Sequence, residues 1–136
     1  MLELSAAARE HFERPRNVGA LDPDEPDVAE ERVGEPVSGD ILQLHLRIDR
    51  QDIIAAARFK AYGCGWLIAC GSLLTERLEG RTRQEAGHFR HRELVEKLDI
   101  PPAKLHCAVL AETALDAALR AFAAKSAPAT IPDPIP

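Results

Sequence analysis

Three places in the sequence carry side chains able to hold a metal or move sulfur. They are Ser38-Gly39-Asp40, Gly63-Cys64-Gly65 and His106-Cys107. A thiol at a strand-to-helix junction, which the pattern around Cys64 suggests, lies near the positive end of the helix dipole. That favours thiolate, the form that binds metal and attacks sulfur or carbon. The flanking glycines allow close backbone approach to a ligand. A small cysteine packed into a tight turn fits the same residues, and the spacing alone leaves both readings open. Adjacent His106 and Cys107 point about 100° apart on a regular helix, so they share one metal only at an irregular helix end. A capping or surface histidine beside a core cysteine fits them too. Asp40 after Gly39 is a turn residue by type; brought near Cys64, it becomes an oxygen ligand or a group that labilises bound cargo. Two thiolates, an imidazole and a carboxylate suit tetrahedral zinc or an iron–sulfur unit. Cys70 is six residues beyond Cys64, off its direction on a helix, and reads as a packing residue. His11, His45, His88 and His91 have no evident partners and read as surface residues.

The elements that must position these groups follow from periodicity. Leu4, Ala7, Ala8 and Phe12 recur at near-helical spacing after a capping Ser5, and Pro15 ends the run. Residues 16–36, rich in Pro, Gly, Asp and Glu, read as a solvated connector with an edge strand near Val33. Ile41 to Ile48 alternates apolar and polar residues as a half-buried strand does, and Ile53 to Tyr62 reads as its hairpin partner. Trp66 to Leu78 is helical by pattern, ending at Gly80. Thr82 and Glu85 fit a capping box, Glu93 to Leu98 a short helix. Pro101-Pro102 introduces a last helix running from Ala103 or His106 to Ala124. Strands followed by helices indicate an α+β domain, a small antiparallel sheet with helices on one face. The domain is expected over residues 1–125. The segment 126–136, with four prolines, is expected to be a disordered tail.

Composition narrows the partners. The 136 residues carry a formal net charge of −5, and no Lys/Arg stripe offers a phosphate track, so nucleic acid is not expected. No apolar run nears the ~20 residues of a membrane span. Met1 to Glu10 lacks a signal peptide's apolar stretch, which places the chain in the cytoplasm by default. There, an odd set of three cysteines argues against a disulfide framework.

Five segments in order resemble the IscU/NifU N-terminal family across about Leu4 to Lys125. They are His11 to Gly19, Gly39-Asp40, Ala57 to Gly65, Thr75-Glu76, and Ile100 to Cys107 running on into Leu110 to Glu112. The resemblance implies a SufE/NifU-like fold and a scaffold that accepts persulfide sulfur and iron, builds a [2Fe-2S] cluster and passes it on. It implies no turnover chemistry of the scaffold's own. By the same resemblance, Asp40, Cys64, His106 and Cys107 are metal-site positions, Cys107 accepts persulfide and Asp40 serves cluster release. Ile100, Pro101, Pro102, Ala103 and Lys104 match the segment gripped by an Hsp70/J-type chaperone pair. A cysteine desulfurase and apo recipient proteins are the other implied partners, with zinc as a resting occupant. No insertion of the zinc-dependent SufU branch lies between Cys64 and Cys107.

The chain departs from the family where Ser38 replaces a cysteine, leaving Ser38 at the rim of the site. A neutral hydroxyl is a far poorer ligand for iron or zinc than a thiolate. Cys70 stands where a small residue is usual, and Trp66 is bulkier than the family pattern, which could crowd the site. The loss of a thiolate leaves an alternative open: a sulfur carrier, or a zinc-binding regulatory relative, that assembles no cluster.

Overall fold

The computed structural model describes residues 3–126. The order is α1 (Ala6–Glu13), β1 (Val28–Gly34), β2 (Ile41–Ile48), β3 (Ile54–Tyr62), α2 (Gly65–Leu78), α3 (Arg83–Ala86), α4 (Arg92–Leu98) and α5 (Leu105–Ser126). A 3-10 turn, Pro102–Lys104, leads into α5. The strands form one antiparallel sheet in the order β1-β2-β3. The expected Pro-rich tail lies outside the described residues, apart from Ser126, which closes α5.

The period-2 pattern of β2 turns Leu42, Leu44, Leu46 and Ile48 into the core. Register sets Leu44 between Glu31 and Phe59, and Leu46 between Ala29 and Ala57, so the three strands share one apolar face. Helices α2 and α5 pack on that face, and α1 covers α2 from outside. Because neighbours surround it, α2 buries Trp66, Leu67, Cys70, Leu73, Leu74 and Leu78 around most of its circumference. Trp66 therefore belongs to the core, 3% exposed. The local signals fold as their chemistry requires. Ser5 accepts from the Ala8 amide, and Thr82 with Glu85 closes a reciprocal capping box.

The acidic stretch holds the expected edge strand, which takes in Val33 and runs over seven residues as β1. Glu30 and Arg32 fall on the face away from the helices, while Val28 and Ala29 are buried. Charged residues on an edge strand hide its pattern and also guard it against pairing with other chains. The connector is largely solvent-facing, as expected, and is also tied to the sheet by side chains. Arg47 bonds Asp27 and Glu25, and the Lys125 ammonium reaches the carbonyls of Pro23, Glu25 and Val28. Farther upstream, the Phe59 amide donates to Asn17 and the Gly19 amide to Phe59, covering the outer edge of β3.

Two histidines read as surface residues are buried. His45 is 1% exposed, its Nε2 2.9 Å from the Glu30 carboxylate. His11 contacts the Ser72 hydroxyl at 2.7 Å through Nδ1, and the same oxygen accepts from the Arg16 amide. His88 is exposed as expected, and His91 bonds Glu112 through both its amide and Nδ1. Burial, followed by the charge of Arg16, lowers the pKa of His11 below its ordinary 6.5. A lowered histidine pKa stabilises the fold above the unfolded value and loses that contribution as pH falls through the folded one. Thermal unfolding of the native chain should therefore weaken on acidification below pH 6.5. His11→Gln, which keeps a partner for Ser72, should flatten that dependence; equal slopes in the two proteins would show that His11 does not control it.

Candidate functional site

The site is assembled where three chain segments end on one side of the sheet. Gly39, at φ +80°, turns the chain into β2 and delivers Asp40 at its entrance. The turn is held from both sides: the Glu35 amide donates to the Asp40 carbonyl, and the Gly39 amide to the Glu35 carbonyl. Ser38 is exposed, its amide donating to the Glu35 carboxylate at 2.7 Å. Its Oγ accepts from the Asp40 amide at 3.2 Å. The hydroxyl is thus committed to shaping the turn. Glu35 was missed in the sequence; an acidic residue three positions before a serine in a Gly-Asp turn is the signal that marks it. The amide hydrogen bonds from Ser38 and Val37 bring its carboxyl below the ordinary value, with the Ser38 backbone the largest cause.

Cys64 is the N-cap residue of α2, half-buried, and its side chain makes no capping hydrogen bond. His106 and Cys107 lie in the first turn of α5, just after the 3-10 turn, the irregular start their adjacency requires. His106 Nε2 is 2.9 Å from Asp40 Oδ2. Cys107 Sγ lies 3.7 Å from that nitrogen and 3.9 Å from that oxygen. The ligand atoms of Asp40, His106 and Cys107 all fall within 4.8 Å of one another. Cys64 joins this trio through Cys107, the two sulfurs being 3.8 Å apart.

The Cys64–Cys107 separation suits a shared ion. Two thiolates at a Zn–S length of about 2.3 Å on a tetrahedral ion are about 3.8 Å apart. The Asp40–His106 pair, at 2.9 Å, is closer than two ligands of one tetrahedral ion would be and is joined by a hydrogen bond. Asp40 and Cys107 are 7% and 0% exposed, whereas the His106 side chain is 29% exposed. Burial pushes the Cys107 thiol well above its ordinary value, helped by Cys64, Cys70 and Asp40. It holds its proton until an ion displaces it, so loading releases that proton.

The glycine before Cys64 has a steric task. A Cβ on Gly63 would collide with Asp40 Oδ1 and crowd Leu67. Gly63→Ala should push the Asp40 carboxylate out of line and lower metal affinity by about 10-fold, within the range for disturbing a ligand's support. Isothermal titration with zinc at constant pH measures it; unchanged affinity would show that Asp40 moves freely. Cys70 lies in the core, fully buried, and burial pushes its thiol far up. It does not join the cluster of donors. In the segment 100–104, Ile100 is buried and anchors the chain, while Pro102 and Ala103 are exposed.

The NifU-like N terminal domain model matches residues 4–129. The iron–sulfur cluster assembly scaffold protein IscU of Azotobacter vinelandii is 48% identical over 113 residues, covering 83% of this chain and 88% of that protein. Its counterpart in Haemophilus influenzae is 45% identical over 116 residues, with 85% and 92% covered. Among solved structures, a nitrogen-fixing NifU-like N-terminal protein from Brucella abortus superposes with a TM-score of 0.68 at 16% identity. It covers 90% of this chain and 95% of its own. A SufU protein from Fervidobacterium islandicum AW-1 gives 0.66 at 21%, with 85% and 95% covered. At those identities the two structures bear on the fold alone, and they share the α+β arrangement.

Proposed function

The chain belongs to the NifU-like N-terminal domain family, and from that premise we propose that it is an iron–sulfur cluster assembly scaffold. The observation that carries this reading is the meeting of Asp40, His106 and Cys107, whose donor atoms lie within 4.8 Å of one another, with Cys64 joined to them 3.8 Å from Cys107. Iron and sulfur are the cargo, and a [2Fe-2S] unit is its finished form. Cys107 is the residue we assign to receive persulfide sulfur, and Cys64 supplies the second thiolate. His106 completes a donor set that also suits zinc as a resting occupant.

The scaffold's own residues hold and release rather than turn over. Soft thiolates grip iron and sulfide, whereas the Asp40 carboxylate is a hard ligand that binds such a unit loosely. Asp40→Ala should therefore slow cluster transfer to an apo acceptor by about 10-fold, a magnitude taken from the effect of altered metal-site support. Transfer followed by circular dichroism measures it, and unchanged or faster release would count against Asp40 as the releasing group. A cysteine desulfurase is the proposed sulfur donor. The exposed part of Ile100 to Lys104 offers the proposed chaperone grip, and apo proteins are the recipients. The cytoplasm is the proposed compartment; among the described residues no helix is long and apolar enough to cross a membrane.

The decisive experiment is anaerobic reconstitution of the unaltered chain with ferrous iron, cysteine and a cysteine desulfurase, followed by iron, sulfide and absorbance measurements. A stoichiometric cluster supports assembly at a site with Ser38 in place of a third thiol. Persulfide on the protein with no retained iron would instead select the sulfur carrier, and tight zinc with no sulfur transfer the regulatory relative.

A further inference from the structure

The two site thiols face each other at 3.8 Å. A disulfide needs about 2.05 Å, so closure asks for about 1.8 Å of approach. Cys64 lies outside regular helix, at the N-cap, between Gly63 and Gly65. A residue at a helix boundary can give more readily than Cys107 inside the first turn of α5. The two differ in access: Cys64 is half-buried and Cys107 is closed to solvent. No other thiol competes, because Cys70 is sealed in the core and position 38 carries a hydroxyl bonded into its own turn.

We propose that Cys64 and Cys107 form a reversible intramolecular disulfide in the cargo-free protein when it meets a peroxide. Cys64 is the sensing thiol and Cys107 the resolving thiol. The Cys64 thiolate attacks one peroxide oxygen, the O–O bond breaks, and hydroxide leaves, giving a sulfenic acid. The Cys107 sulfur then displaces that hydroxyl as water, its thiol proton going to the departing oxygen. One peroxide is reduced to two waters overall as two thiols become one S–S bond. The bond removes both thiolates from the donor set, so an oxidised scaffold takes up no ion, and a dithiol reductant reopens it by exchange. A bound ion holds both sulfurs and blocks the reaction. Only this protection by an ion, and the closure to loading, rest on the metal-site reading above; disulfide formation does not.

The test treats the full chain, stripped of metal by a chelator, with a slight excess of hydrogen peroxide. Denaturing alkylation, intact mass and peptide mapping follow. The expected product is a monomer lighter by two hydrogens, with Cys64 joined to Cys107 and Cys70 alone alkylated. Dithiothreitol should restore both thiols. Cys107→Ser should instead leave oxygens added at Cys64, and Cys70→Ser should behave as the native chain. A native chain that accumulates oxygens on Cys64 without losing hydrogens would overturn the proposal, as would a bridge to Cys70 or between chains. A zinc-loaded sample should resist the same dose. If the disulfide forms equally with zinc present, the pair is a redox couple but the ion is not held by these sulfurs, and the metal-site reading fails separately.

Discussion

Cys107→Ala should abolish cluster loading, with iron and sulfide falling below a tenth of the native content and the visible absorbance disappearing. Cys107 is the only donor that touches every other member of the set: Cys64 at 3.8 Å, His106 at 3.7 Å and Asp40 at 3.9 Å. Without it one thiolate remains, and the other two donors are an imidazole and a carboxylate, a poor set for iron and sulfide. Loss of a direct ligand should exceed the 10–100-fold typical of its supporting groups, so about 100-fold or more in zinc affinity is expected. Cys64→Ala should be nearly as severe, because it also leaves a single thiolate. Cys70→Ala is the control, and its loading should match the native protein. Proton linkage gives a second readout. Burial keeps the Cys107 thiol protonated without an ion, so zinc affinity should fall as pH is lowered, and less steeply in Cys107→Ala. If Cys107→Ala loaded normally while Cys70→Ala failed, the assignment of ligands would be wrong.

The parts of this site that could be read from the sequence are those encoded over a few residues. The alternation of Leu42, Leu44, Leu46 and Ile48 specifies a one-sided strand, and Thr82 with Glu85 specifies a helix start. The glycines around Cys64 mark a chain break before α2. The convergence of Asp40 with His106 is of another kind. The two are separated by 66 residues, and their meeting depends on the register of β2 and the seating of α5, which no local spacing encodes. Only the ordered set of family-like segments anticipated it. The same limit explains His11 and His45. Each looks like a polar surface residue until Ser72 on α2, or Glu30 across the β1-β2 ladder, is brought alongside. β1 was obscured because Glu30, Glu31 and Arg32 lower its apolar content, and Glu31, opposite Leu44, falls on the face shared by Ala29 and Val33 and breaks the period. Gly63 was read as room for the backbone to approach a ligand. In the fold it is space for the Asp40 carboxylate.

Phe59→Ala should carry a large stability cost, about 3–5 kcal/mol of unfolding free energy. The ring is 1% exposed on β3, and it lies over Gly71 of α2, where an added Cβ would collide with three of its atoms. That absence of a side chain is what lets the helix approach the sheet. Gly71→Ala alone should therefore cost about 1–3 kcal/mol by overpacking. In Phe59→Ala the same methyl group meets vacated space, and its cost should fall toward zero or reverse. The coupling between the two substitutions, read from a double-mutant cycle in urea, should reach at least about 1 kcal/mol. Additive costs would show that Phe59 and Gly71 do not set the helix–sheet spacing. The spacing bears on the chemistry because β3 continues through Gly63 into Cys64, and Cys64 caps the helix that Phe59 holds. Loss of the ring removes this contact between β3 and α2. Zinc affinity should then drop in Phe59→Ala even under conditions where the chain remains folded.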